Sequence, residues 1–231
     1  MSKTPKKPVK YRWGASKDNV AKAKPKAKSK FEPKQEGSTS QYQRRKQVLK
    51  GYEQWVWERF NSGYDIYLFS FMFNEMPGNE RAKIEGMNDE IKRLYSKLTT
   101  RIARKPRTHS GHRLLPLMIL YPDKAVYKSF KRKLSLKEAK TNDGLHFHGI
   151  CAADRRGRLK NFLDEYFETF QSDFTTQKLR SIHVQRVHSM PRYVTDYALK
   201  SFKRPWFKDD DIIVLPRTLD EVADQKRRRT E

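Results

Sequence analysis

Cysteine is nearly missing from this sequence. The single Cys151 among 231 residues can close no internal disulfide and cannot build a cysteine-based zinc site, which fits a reducing cytoplasm. No apolar run approaches the roughly 20 residues that a spanning helix needs, and Lys3, Lys6 and Lys7 are followed by no signal-like apolar segment. A soluble, cytoplasmic chain with no membrane partner is therefore expected. The pattern GxxxxGK[ST] is absent and no internal repeat is visible, so the chain carries no phosphate-loop motor of its own. Acid is scarce too, with 27 Asp and Glu against 51 Lys and Arg, a net charge of +24. An excess of that size favours a polyanionic partner, through phosphate neutralisation and counterion release. Solubility alone would be served better by acidic residues.

The charge is uneven. The first 50 residues hold 16 Lys and Arg against three Asp and Glu. The stretch VAKAKPKAKSKFEPKQEGSTS has almost nothing to bury, so residues 1–41 are expected to be a disordered basic arm that adds sequence-independent affinity for nucleic acid. Residues 208–231, with QKRRRTE, are expected to be an extension with a second basic tail. Between them, 42–207 is expected to be one domain with its core at 64–203.

Within that domain the pattern alternates. Residues 42–60 carry Tyr52, Trp55 and Phe60 at helical spacing. YDIYLFSFMFN (64–74) is aromatic-rich and bounded by Gly63 and Pro77-Gly78, as a buried strand would be. A helix is predicted over 79–105, with an apolar stripe at Ile84, Met87, Ile91, Leu94, Leu98 and Ile102, ending before Pro106. LLPLMILY and AVYKSFKRKLSLKEA are predicted strands joined around Pro122-Asp123. LHFHGICAA follows the turn signal Asn142-Asp143-Gly144 as a third. A helix over 159–170, a strand over 180–188 and a helix over 191–203, with Pro191 in its first turn, complete the series. This order predicts an α+β domain, an antiparallel sheet with helices on one or both faces.

The chemistry sits on two of these elements. Strand alternation puts His146 and His148 on one face and Phe147 on the other. Two imidazoles so placed can point at a common atom, but HxH alone is a weak signal and a metal needs more ligands. Glu138, across the Asn142-Asp143-Gly144 turn, is the expected carboxylate. Two histidines and a carboxylate bind a divalent ion and leave positions open. On the last helix Tyr193, Tyr197 and Lys200 are spaced to share a face. A phenol attacks phosphorus when the phosphate is polarised and a nearby cation stabilises the developing charge. His109 and His112 lie in a basic loop suited to phosphate contact or solvation. His183 and His188 flank the last strand, where a supporting role to the site is open.

GLHFHGI followed about 50 residues later by YVTDYALK resembles the HUH endonucleases, the family of rolling-circle replication initiators, relaxases and related transposases. YLFSFMF (67–73) fits the family's first motif loosely, and Glu138 stands eight residues before His146, where some single-tyrosine viral initiators carry a metal-binding glutamate. The resemblance covers about 64–203. It implies an HUH-type fold, a central five-stranded antiparallel sheet flanked by helices, with Mg²⁺ or Mn²⁺ held by His146, His148 and Glu138. It further implies that Tyr197 or Tyr193 cuts single-stranded DNA or an origin hairpin, forming a 5′-phosphotyrosine, with Lys200 stabilising charge. The expected role is initiation of rolling-circle replication for a phage, plasmid or related mobile element, with a helicase supplied by a partner. The alternatives are an HUH transposase or relaxase, or a non-catalytic basic nucleic-acid-binding protein.

Overall fold

Five strands hydrogen-bond into one sheet in the order β4-β1-β3-β2-β5, with every neighbouring pair antiparallel. They are β1 (Asp65–Phe73), β2 (Leu117–Lys124), β3 (Leu145–Ala153), β4 (Leu179–Val187) and β5 (Ile213–Leu215). The computed structural model describes residues 36–124 and 141–217. The expected basic arm up to residue 35, the predicted strand at 125–139 with Glu138, and the basic tail from 218 lie outside the described residues. Among the described residues no helix is long and apolar enough to cross a membrane.

Alternation along β1 and β3 divides the sheet into two faces. One carries Phe69, Phe71, Phe73 and Phe147, all buried. Helix α2 (Glu80–Ile102) and the later helix Leu163–Phe170 pack over this side, where Phe167 meets Phe69 edge-on at 5.5 Å and Arg93 of α2 donates to the carbonyl of Phe174 beside Phe167. All six residues of the predicted α2 stripe are buried, each contributing about 2 kcal/mol. Asn79 begins the helix by accepting from the amide of Ala82.

Helix α1 (Glu36–Asn61) starts six residues before the predicted boundary. It buries Leu49 and Val56 and turns Trp55 outward. Arg45, nearly fully buried, donates to Asp209 Oδ1 at 2.6 Å and to the carbonyl of Phe207 at 2.9 Å. These bonds tie α1 to the segment that follows the tyrosine helix.

Two elements differ from the sequence expectation. Strand β2 does not turn at Pro122-Asp123 but runs through both, pairing Pro122 with Phe147 and Asp123 with His146. Among the described residues β5 pairs with β2 at Met118–Leu120 and nothing pairs with Pro122 on that side, so a residue without N–H is tolerated there. The fifth strand, β5, comes from the expected C-terminal extension. Its three residues, Ile213, Val214 and Leu215, are too few to carry a periodicity.

Candidate active site

The turn before β3 sets the site. Asn142, Asp143 and Gly144 all have positive φ, at 52°, 56° and 75°, a run that asparagine, aspartate and glycine tolerate better than other residues. Asn142 is 1% exposed. Its side chain donates to the carbonyl of Asn74 at 2.8 Å and accepts from the amide of Met76 at 2.9 Å. The start of β3 is thereby locked to the loop leaving β1. Gly149 fixes the other end, because a Cβ there would lie 2.2 Å from the carbonyl oxygen of Ile119. No other residue lets β2 run this close.

Between these locks Phe147 points into the core, edge-on to Phe73, and His146 and His148 point the other way, their rings 4.7 Å apart. His146 Nδ1 is 2.8 Å from the carbonyl oxygen of Gly144, to which it donates, leaving Nε2 as the lone-pair nitrogen. His148 Nδ1 and Ser70 Oγ share a hydrogen bond at 2.8 Å, and donation by the ring to the hydroxyl would leave Nε2 with its lone pair. Asp123, 2% exposed, stands opposite His146 with Oδ2 3.7 Å from His146 Nε2. The ligand atoms of Asp123, His146 and His148 all lie within 4.8 Å of one another. Burial lowers the pKa of both imidazoles, and the neighbouring His146 and Lys200 help to bring His148 down to about 3. At neutral pH both rings are thus neutral and able to coordinate. Burial works to raise the Asp123 pKa, but Lys200, Ser201 and His146 outweigh it and hold the group ionised. Two neutral imidazoles and a carboxylate on one patch can hold a divalent ion with positions left open.

Glu138, the expected carboxylate, lies outside the described residues, and among the described residues Asp123 is the carboxylate brought to His146 and His148.

The tyrosine helix spans Pro191–Ala198 and continues as a 3-10 turn at Lys200–Lys203, so it is shorter as an α-helix than the predicted 191–203. Both tyrosines are exposed, Tyr193 at 64% and Tyr197 at 45%. Lys200 Nζ donates to Asp123 Oδ2 and lies 5.2 Å from the centre of the Tyr197 ring. Ser201 Oγ donates to the other oxygen, Asp123 Oδ1. Lys200 thus joins the carboxylate of the cluster to Tyr197, while Tyr193 sits one helical turn further away along the chain.

Three contributors escaped sequence reasoning: Asp123, Ser70 and Ser201. His183, a candidate for support, is exposed on β4 and stands across Ser70 from His148. His112 Nε2 lies 2.9 Å from the carbonyl oxygen of Arg217, away from the cluster. Cys151 is fully buried, and burial pushes its thiol pKa up, as befits a small core residue.

A scan of protein-family models finds no match to this chain, and searches of curated proteins and of solved structures find none either.

Proposed function

We propose that this chain is a metal-dependent, single-strand DNA endonuclease and strand transferase of the HUH type that initiates rolling-circle replication. The observation that carries the reading is Lys200, which bonds the carboxylate of the buried Asp123, His146 and His148 cluster and lies against the ring of Tyr197. A phenol, a cation and three potential ligands are brought together at one place by three separate parts of the chain. The net charge of +24 suits a phosphodiester substrate.

Asp123, His146 and His148 would hold Mg²⁺ or Mn²⁺, which when bound polarises the scissile phosphate. Tyr197 is the nucleophile. Its Oη forms the new bond to phosphorus, the bond from phosphorus to O3′ breaks, and a proton, balancing the one lost by the phenol, goes to the departing O3′, which becomes the 3′-hydroxyl. The product is a 5′-phosphotyrosine, whose bond energy lets a 3′-hydroxyl reverse the step and join strands. Lys200 stabilises charge as the phenol ionises and orients the ring. Tyr193, exposed on the same helix, is the acceptor for a second cut. The substrate is a single strand or an extruded origin hairpin, since stacked duplex blocks in-line approach, and a partner helicase supplies unwinding.

The test is incubation of the full chain with a labelled single-stranded origin oligonucleotide and Mn²⁺. A covalent adduct that depends on metal and is lost in the Tyr193→Phe, Tyr197→Phe double variant is expected. An adduct that survives in the double variant, or none from the wild type, overturns the proposal.

A further inference from the structure

The face of the sheet that carries Asp123, His146 and His148 continues past them. Strands β2, β3, β1 and β4 lie side by side in that order, and residues directly opposite one another in antiparallel strands share a face. Asp123 of β2 stands opposite His146 of β3, His148 stands opposite Ser70 of β1, and Ser70 stands opposite His183 of β4. The hydrogen bond between Ser70 Oγ and His148 Nδ1 puts those two side chains on one side. A row therefore runs across four strands, from Asp123 through the two histidines and Ser70 to His183.

Beyond the cluster this floor is open. Ser70, Met72 and Ser181 are half-buried and His183 is exposed, whereas Phe71 and Ile182, which alternate with them, are buried in the core on the other face. Among the described residues no hydrogen bond or ion pair engages the His183 ring. In-line displacement at phosphorus sets the entering and departing oxygens on opposite sides. Tyr197 belongs to the β2 side, because Lys200, 5.2 Å from its ring centre, donates to Asp123 Oδ2. The O3′ of a phosphate held at the cluster then points along the row, towards β1 and β4. Two strand spacings, about 9.6 Å, separate the backbones of His148 and His183, a gap suited to the sugar that carries O3′.

We propose that His183 is the general acid for the departing O3′ and the general base for the reverse, joining step. The inference rests on the endonuclease reading and names the proton donor that its first step requires. As Tyr197 Oη bonds to phosphorus, the phenolic proton passes to water. As the bond from phosphorus to O3′ breaks, its electron pair stays on O3′ and the His183 imidazolium supplies a proton. A 3′-hydroxyl and a neutral imidazole result, and a proton from solvent restores the imidazolium. In joining, the neutral imidazole takes the proton of the attacking 3′-hydroxyl. Histidine suits both directions, since imidazole carries and releases a proton near neutral pH.

The test gives the full chain and Mn²⁺ two single-stranded origin oligonucleotides, one natural and one with sulfur in place of the bridging O3′ at the nick that the wild type makes. A thiolate departs without a proton, so the sulfur substrate has no need of the acid. His183→Gln is expected to slow adduct formation on the natural strand at least about a hundredfold, and to keep the sulfur strand within about threefold of wild type. Adduct prepared from the sulfur strand and chased with a 3′-hydroxyl strand should rejoin at least about a hundredfold more slowly in the variant. His188→Gln, an exposed histidine past the end of β4, should leave all three rates unchanged. Equal losses on both substrates make His183 a phosphate contact or a structural residue and overturn the proposal, as does an unchanged natural rate in His183→Gln. A wild type that forms no adduct with either strand defeats the proposed function and this assignment with it. A reactive wild type whose His183→Gln variant matches it on both strands defeats the assignment alone.

Discussion

Lys200 and Asp123, 77 residues apart in the chain, share a hydrogen-bonded ion pair beneath the ring of Tyr197. The pair gives the two tyrosines unequal positions, although both are exposed and spaced one helical turn apart.

Tyr197 is therefore expected to make the first cut. Tyr197→Phe should lower covalent adduct with a single-stranded origin oligonucleotide at least about a hundredfold, while Tyr193→Phe should retain most of the first-turnover adduct. Burst-phase measurement separates the two. The reverse order of losses would reassign the roles.

Asp123 is expected to be a ligand in its own right. Mn²⁺ at a hundred times its dissociation constant should stabilise the wild type by about 2.7 kcal/mol, which for a chain of this size is a rise in Tm of roughly 5–10 °C. Asp123→Asn should abolish that rise in a thermal melt. A rise of the same size in the variant removes Asp123 from the ligand set.

Ser70 is expected to act through His148. Ser70→Ala removes the partner of His148 Nδ1, and losses of this kind weaken metal affinity about 10–100-fold. Titration with Mn²⁺ checks this, and Ser70→Thr, which keeps the hydroxyl, should recover most of the affinity.

Stability should fall with acid in a window set by His148. Its folded pKa, about 3, is below its ordinary value of 6.5. Between these values the unfolded chain takes up a proton that the folded chain refuses, so the unfolded state gains. The stability advantage of wild type over His148→Gln should be largest above pH 6.5 and shrink steadily towards pH 3, as urea unfolding can measure. An advantage that grows on acidification contradicts the buried, neutral imidazole.

Gly149→Ala should cost at least about 2 kcal/mol, because the Cβ collides with backbone on β2 that cannot swing aside. Urea midpoints check the value.

Local patterns were legible and long-range pairings were not. The α2 stripe, the histidine face of β3 and the tyrosine helix follow from spacings of two to four residues, which sequence displays directly. Asp123 joins His146 through the register of β2 against β3, with residues 125–140 between them, and no local spacing encodes that register. Pro122-Asp123 even carries the composition of a turn, but it stays extended because it pairs with Phe147 and His146 of β3, and β5 does not reach Pro122 to require its missing N–H. Ser70 and Ser201 are ordinary residues whose role exists only once His148 and Asp123 stand beside them. The fifth strand escaped because three residues hold no period.

The alternation of His146, Phe147 and His148 makes pairing register and chemistry one property. If β3 paired one residue out of step, Phe147 would face the Asp123 side and both imidazoles would be driven into the aromatic core. The Asn142 turn and Gly149 block that slip from either end. If the cluster takes a divalent ion as proposed, that binding doubles as an assay for correct folding of the sheet: a chain that has misregistered would offer the ion a phenyl ring.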